Sequence, residues 1–226
     1  MPSRTSPIVT DEIYHVFNRS VGSIPLFESK KNYHRFYELV DYYRFSEPQV
    51  RFSFYNRAEK SLKESMLASL HSSESFVSIL AYAFMPNHYH FVLKQIKDNG
   101  ISTFMRRVQN SYAKYYNIKN KRFGAVFQAL FKSVRIVSDE QLLHVVRYVH
   151  LNPITSYIIS SINELERYPW TSYPQYISDT LYSMVDTEDV LAHFKSSKLF
   201  VEFTGDQIGY QRTLAECKNV YHDSDV

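Results

Sequence analysis

The chain has 226 residues, enough for one well-filled core or one domain with a C-terminal addition. With 44% apolar and 22% charged residues, and only 5 Gly and 8 Pro, it reads as a folded protein and not as a low-complexity one. A net charge of +3 and a pI near 8.7 exclude a strongly basic duplex coat, and a single cysteine, Cys217, excludes an intrachain disulfide or a Cys-based zinc site.

The opening MPSRTSPIVTDE lacks the apolar stretch of a secretory leader, and no apolar run approaches ~20 residues. The expectation is a chain that crosses no membrane and works in the reducing cytoplasm. Residues 13–17 (IYHVF) predict a strand, followed by the turn-prone NRSVGSIP. Apolar and aromatic positions at Tyr33, Phe36, Tyr37, Val40 and Tyr43 predict a helix with Ser29 as its N-cap and Pro48 beyond its end. RFSFY at 51–55 reads as the start of a strand, and the polar 56–75 as an inserted helix or loop without evident chemistry.

Two apolar runs, 76–84 (FVSILAYAF) and 88–94 (HYHFVLK), are broken by MPN and predict an antiparallel hairpin. Residues 102–117 have helical spacing, with Phe104, Met105, Val108, Tyr112, Tyr115 and Tyr116. SVRIV predicts a further strand. Ser138-Asp139 starts a helix expected to stop at Leu151, because Pro153 disfavours helical geometry at Asn152. Beyond it the chain reads as an irregular wrap to about residue 177, then a short helix at 187–199. Strand, helix, strand, strand, helix, strand and an appended helix together predict an α+β fold. The type is ferredoxin-like: an antiparallel sheet with helices packed on it.

Within the hairpin, His88 and His90 flank Tyr89. Residues i and i+2 of a strand share a face, so two imidazoles project side by side and Tyr89 points the other way. That spacing suits a shared divalent metal, and it also recurs by chance in a chain with nine histidines. In the later helix, Leu142, Val145, Val146 and Val149 make the apolar face, and His144, Tyr148 and Asn152 form an adjoining row at i, i+4, i+8. Tyr148 is not needed for that core, although a ring at a helix–sheet seam is the plain alternative.

Two compositional features leave both a structural and a binding reading open. Aromatics make up 16% of the chain, which suits a core or the stacking of unpaired bases. Eight cations from Arg106 to Arg135 stand without an intervening Asp or Glu, which suits a phosphate-facing surface or a solvated helix face.

The segments AYAFMPNHYHFVLKQ, FMRRVQNSYAKYYN, FGAVFQALFKSV, SDEQLLHVVRYVHLNPI and YPWTSY closely resemble, in that order, the HUH-class single-tyrosine transposases. REP-associated tyrosine transposases and small insertion-sequence transposases are the members they resemble. The resemblance spans about 13–176 and implies a transposase domain over 1–176, with 56–75 an insertion and 177–226 a helical or irregular extension. It implies a single-stranded DNA endonuclease and strand transferase with a covalent 5′-phosphotyrosine. Tyr148 would be the nucleophile, on the appended helix, and His88, His90 and Asn152 would hold Mg²⁺ or Mn²⁺. Tyr112, Tyr115 and Tyr116 rank behind Tyr148, and His144 or metal-bound water would accept the proton. Arg106, Arg107, Lys114 and Arg122 are candidates for DNA backbone contacts, with Tyr115 or Tyr116 for stacking. The partner would be single-stranded or hairpin DNA, and both a monomer and a homodimer fit the family.

One signature departs from the family. The glycine-threonine-tryptophan motif of many REP-associated members is absent, and IYHVFNRSVGSIPLF stands in its place. A retired transposase that binds nucleic acid without cutting it is the alternative, and a metal-dependent hydrolase with a structural Tyr148 is a third reading.

Overall fold

The computed structural model describes residues 7–46, 48, 50–178 and 183–209. Among them, β1 (Ile13–Arg19), β2 (Val77–Met85), β3 (His88–Gln95) and β4 (Lys132–Ile136) form one antiparallel sheet in the order β2-β3-β1-β4. Helices α1 (Lys30–Tyr43), α2 (Phe52–Arg57), α3 (Lys60–His71) and α4 (Gly100–Lys119) precede β4. After it come α5 (Asp139–Thr155), α6 (Ile162–Leu165), α7 (Tyr173–Ile177), α8 (Glu188–Leu191) and α9 (Ser197–Gly205). The α+β, ferredoxin-like class expected from the element order is the class observed. Among the described residues no helix is long and apolar enough to cross a membrane.

Two compact units divide the chain. The first takes its described residues from Met1–Ser78, Pro86–Tyr89 and Leu93–Arg135, the second from Ile79–Met85, His90–Val92 and Ile136–Val226. In the first unit α1 packs on α4 around rings that interlock at many angles. Phe36 meets Tyr112 edge-on at 5.2 Å and Tyr89 at 5.3 Å. Buried tyrosines need partners for their hydroxyls, and the loop before α1 supplies them. Tyr112 donates to the Leu26 carbonyl at 2.5 Å and Tyr116 to that of Pro25 at 2.9 Å. Much of the aromatic excess is therefore core, and two of the three tyrosines ranked behind Tyr148 are buried.

In the second unit α5 buries Leu142, Val146, Val149, Leu151 and Ile154. The segment after α6 lies along β2: Phe84 N donates to the Trp170 carbonyl at 2.8 Å, and Ser172 N to that of Tyr82 at 3.0 Å. α9 then stacks Phe200 on Tyr176 at 4.9 Å.

Four expectations about elements are corrected. RFSFY is not a strand; Phe52 opens α2 instead. Its rings pack on Tyr42, with Phe52 at 5.3 Å and Tyr55 stacked at 4.9 Å, and this tertiary packing overrides strand propensity. Pro153 does not stop α5 at Leu151, and the helix runs on to Thr155. The proline falls in the last turn, where it forfeits a single backbone donor, and Ser156 N still reaches the Asn152 carbonyl at 2.9 Å. The wrap to 177 contains α6 and α7. The helix expected at 187–199 is two, because Ser196 caps a fresh start by accepting from Leu199 N at 3.4 Å. Cys217 lies outside the described residues.

Candidate functional site

β3 carries both histidines, and its alternation sends Tyr89 away from them. Tyr89 is fully buried in the first unit, with Phe127 at 5.9 Å and Gln109 Nε2 donating to its hydroxyl at 2.5 Å. His88 begins the strand. Its Nδ1 lies 2.7 Å from Asn87 Oδ1. An amide oxygen only accepts, so Nδ1 carries the proton and Nε2 keeps the lone pair, the tautomer a metal ligand needs. Burial, with a smaller contribution from the Arg19 charge, lowers the His88 pKa to about 4, so the ring is neutral at pH 7.

The second unit brings His90, Tyr148 and Asn152 together. The ring of His90, a buried residue, stands perpendicular to that of Tyr148, with centroids 5.6 Å apart. Tyr148 is 36% exposed, whereas Asn152, one turn on, is 5% exposed. Tyr148 is thus a part-exposed ring that packs against His90, a position the seam alternative also describes. Asn152 Nδ2 donates to the Tyr148 carbonyl at 2.9 Å, which ties the amide nitrogen to the backbone. By residue type, imidazole nitrogens and an amide oxygen suit a divalent cation whose remaining positions are filled by oxygen. Among the described residues no group of three His, Cys, Asp or Glu could hold a metal, so a cation here depends on Asn152 and the substrate.

His144 continues the same row but is otherwise engaged. Arg147 Nη2 donates to its Nδ1 at 2.6 Å, and Glu140 Oε1 lies 3.8 Å from its Nε2. The lone pair that would take a proton is already accepting one. Arg147 itself was invisible as a core residue, because nothing in its periodicity distinguishes it from a surface cation. It is 5% exposed, its guanidinium lies 4.1 Å from the Phe203 ring centroid, and Nη1 donates to the Phe203 carbonyl at 3.1 Å. Burial lowers its pKa, with Asp206 opposing. His150 was missed as well. It is fully buried beside Ser172 Oγ at 2.8 Å, and burial lowers its pKa to about 3.

The cation candidates all lie in the first unit and divide into two kinds. Arg106 and Lys114 are exposed, two turns apart on α4. Arg107 and Arg122 are partly engaged in structure. Arg107 caps the Phe76 ring at 5.0 Å, and Arg122 donates to the Ala125 carbonyl at 3.2 Å and covers Tyr116 at 5.7 Å. Tyr115 is half-buried and its hydroxyl donates to Asn32 Oδ1 at 3.1 Å. Arg135, the last of the eight cations, pairs in space with Glu12.

Residues 48–152 match the family model described as transposase, IS200-like. Among solved structures, a REP-associated tyrosine transposase bound to a REP hairpin is similar in fold. It aligns with a TM-score of 0.54 at 13% identity, covering 84% of this chain and 93% of that one. Comparison with curated proteins returns no match. The resemblance carried by the sequence motifs is thus shown as family likeness over 48–152 and as shared fold over most of the chain.

Proposed function

We propose that this chain, similar to the IS200-like transposases over residues 48–152, is a metal-dependent single-stranded DNA endonuclease and strand transferase with Tyr148 as its nucleophile. The domain would span 1–176, with 177–226 an extension. The observation that carries this reading is the Tyr148 phenol. It is part-exposed at the end of a buried His90 contact, and it is tied through its own carbonyl to Asn152. All of these residues, and His88, lie inside the matched stretch.

A phenol has a pKa near ~10 and attacks a phosphodiester anion poorly unless it is held in line and loses its proton. The T-shaped contact with His90 restricts the ring, and 36% of the residue stays exposed. The Tyr148 oxygen bonds to phosphorus as the bond from phosphorus to the 3′-oxygen breaks. The product is a 5′-phosphotyrosine and a strand ending in a 3′-hydroxyl, which takes up a proton. A 3′-hydroxyl from a second strand reverses the exchange without ATP, because the enzyme has stored the ester bond. Mg²⁺ or Mn²⁺ on His88, His90 and the Asn152 amide oxygen would supply Lewis-acid polarisation of the phosphate. His144 can serve as proton acceptor only after Arg147 releases its Nδ1.

The test uses labelled single strands tiled across the flanks of the gene, with Mn²⁺ and a duplex control, resolved on denaturing gels. Wild type should give a shifted, covalent band with single strands, and Tyr148→Phe and His88→Ala should give none. A band that survives in Tyr148→Phe would refute the assignment of the nucleophile. DNA binding without any band would make the non-cleaving binder the better reading, and strand scission without an adduct the hydrolase.

A further inference from the structure

α1, the 51–57 segment and α4 enclose a cavity of about 670 Å³ within the first unit, inside the range of small-ligand pockets. Four cations face it: Arg35 from α1, Arg51 and Arg57 from either end of the 51–57 segment, and Lys114 from α4. No carboxylate lines it among the described residues. Like charges gathered on one wall repel, and over low-dielectric ring surface they focus their field on an anion. A segment with only a structural role gains nothing from that arrangement.

The floor is aromatic. Phe52 is buried, and the Arg35 guanidinium lies 5.1 Å from its ring centroid and 5.3 Å from that of Tyr115. These contacts hold a planar cation between two rings. Glu38 pairs with Arg35 at 3.5 Å but does not line the cavity. The hydrogen bond from Tyr115 to Asn32 fixes the second ring from behind. Arg57 spends its Nε on the Ser53 carbonyl at 3.1 Å, which orients the fork. Arginine forks match phosphate oxygens, and flat π-faces accept any base.

We propose that this cavity is a nucleotide subsite for a single DNA strand. The phosphate lies against Arg51, Arg57 and Lys114, and the base lies on the Tyr115 ring that Arg35 holds in place. The assignment rests on the single-strand reading above and gives chemistry to the 51–57 segment. It predicts a contact set that α4 alone, the sequence-based candidate, does not contain.

The experiment measures binding of a fluorescein-labelled oligo-dT by the full chain across a salt titration. Its partners are an abasic strand of the same length, an RNA strand, and inorganic phosphate as competitor. The variant is R51A/R57A; both side chains are exposed, so the fold should persist, and a thermal melt checks it. Affinity for oligo-dT should fall about 10-fold or more, and the slope of log K against log salt should drop by about 1, from one or two lost phosphate contacts. The abasic strand should bind wild type more weakly than oligo-dT. Unchanged affinity and slope in the variant, while wild type still forms its covalent adduct, would overturn the subsite alone. Wild type that neither binds a strand nor forms the adduct would overturn the single-strand reading with it. Competition by phosphate with no penalty for the abasic strand would reduce the cavity to an anion site, and preference for RNA would overturn the DNA assignment.

Discussion

Tyr148 and Asn152, one turn apart on α5, and His90 on β3 divide the labour at this site. The perpendicular contact with His90 limits rotation of the Tyr148 ring, and the Asn152 amide nitrogen donates to the Tyr148 carbonyl. Tyr148→Phe keeps that packing and removes only the oxygen. We expect near-wild-type folding, with adduct formation lost by at least about 10³-fold, as for loss of a nucleophile. A folded variant with normal adduct yield on the denaturing gel would refute it. His144 stands differently: its Nδ1 accepts from Arg147, so it is not poised for proton transfer. His144→Ala should leave adduct yield within about threefold of wild type, a barrier change of no more than about 0.65 kcal/mol. A loss as deep as that of Tyr148→Phe would show that Arg147 does release the ring.

At the scale of elements, two junctions depend on single residues. Gly100 opens α4, and a β-carbon there would sit 2.2 Å from the Phe76 carbonyl oxygen, a backbone atom that cannot swing aside. Gly100→Ala should destabilise the protein by about 1–3 kcal/mol through overpacking, read as a shift in urea midpoint. Arg147 joins α5 to α9 through the Phe203 carbonyl and ring. Arg147→Met keeps most of the stem and removes the donors. A loss of about 1.5–3 kcal/mol is expected for hydrogen bonds made by a charged group, and an unchanged midpoint would show that α9 does not depend on it.

For the whole molecule, three histidines set the acid limb of stability. Burial lowers the pKa of His15 to about 4, of His88 to about 4 with help from Arg19, and of His150 to about 3. Unfolded, each titrates near ~6.5, so between that value and the folded pKa the unfolded chain binds more protons. Stability should therefore be full above pH ~6.5 and fall progressively as pH drops toward about 4. His150→Phe removes one of these titrations and should flatten the limb. Urea midpoints from pH about 7.5 to about 4.5 measure it, and a wild-type midpoint independent of pH would contradict the buried, neutral state.

What the sequence determined by itself was local and periodic. Alternation in HYHFVLK set the two histidines against Tyr89, and the interruption at MPN marked the hairpin. The 3.6-residue period placed His144, Tyr148 and Asn152 in one row, because each signal is written within a dozen residues. Tertiary structure decided the rest. Packing of Phe52 and Tyr55 on Tyr42 turned a strand-like pentapeptide into α2. The Phe203 carbonyl, 56 positions on, made Arg147 an interior cation, and pairing with β2 ordered the Trp170–Ser172 stretch. The cavity joins α1 and the nearby 51–57 segment to α4, which begins only at Gly100. Burial and charge clustering are properties of the space between distant segments, and no window along the chain contains them.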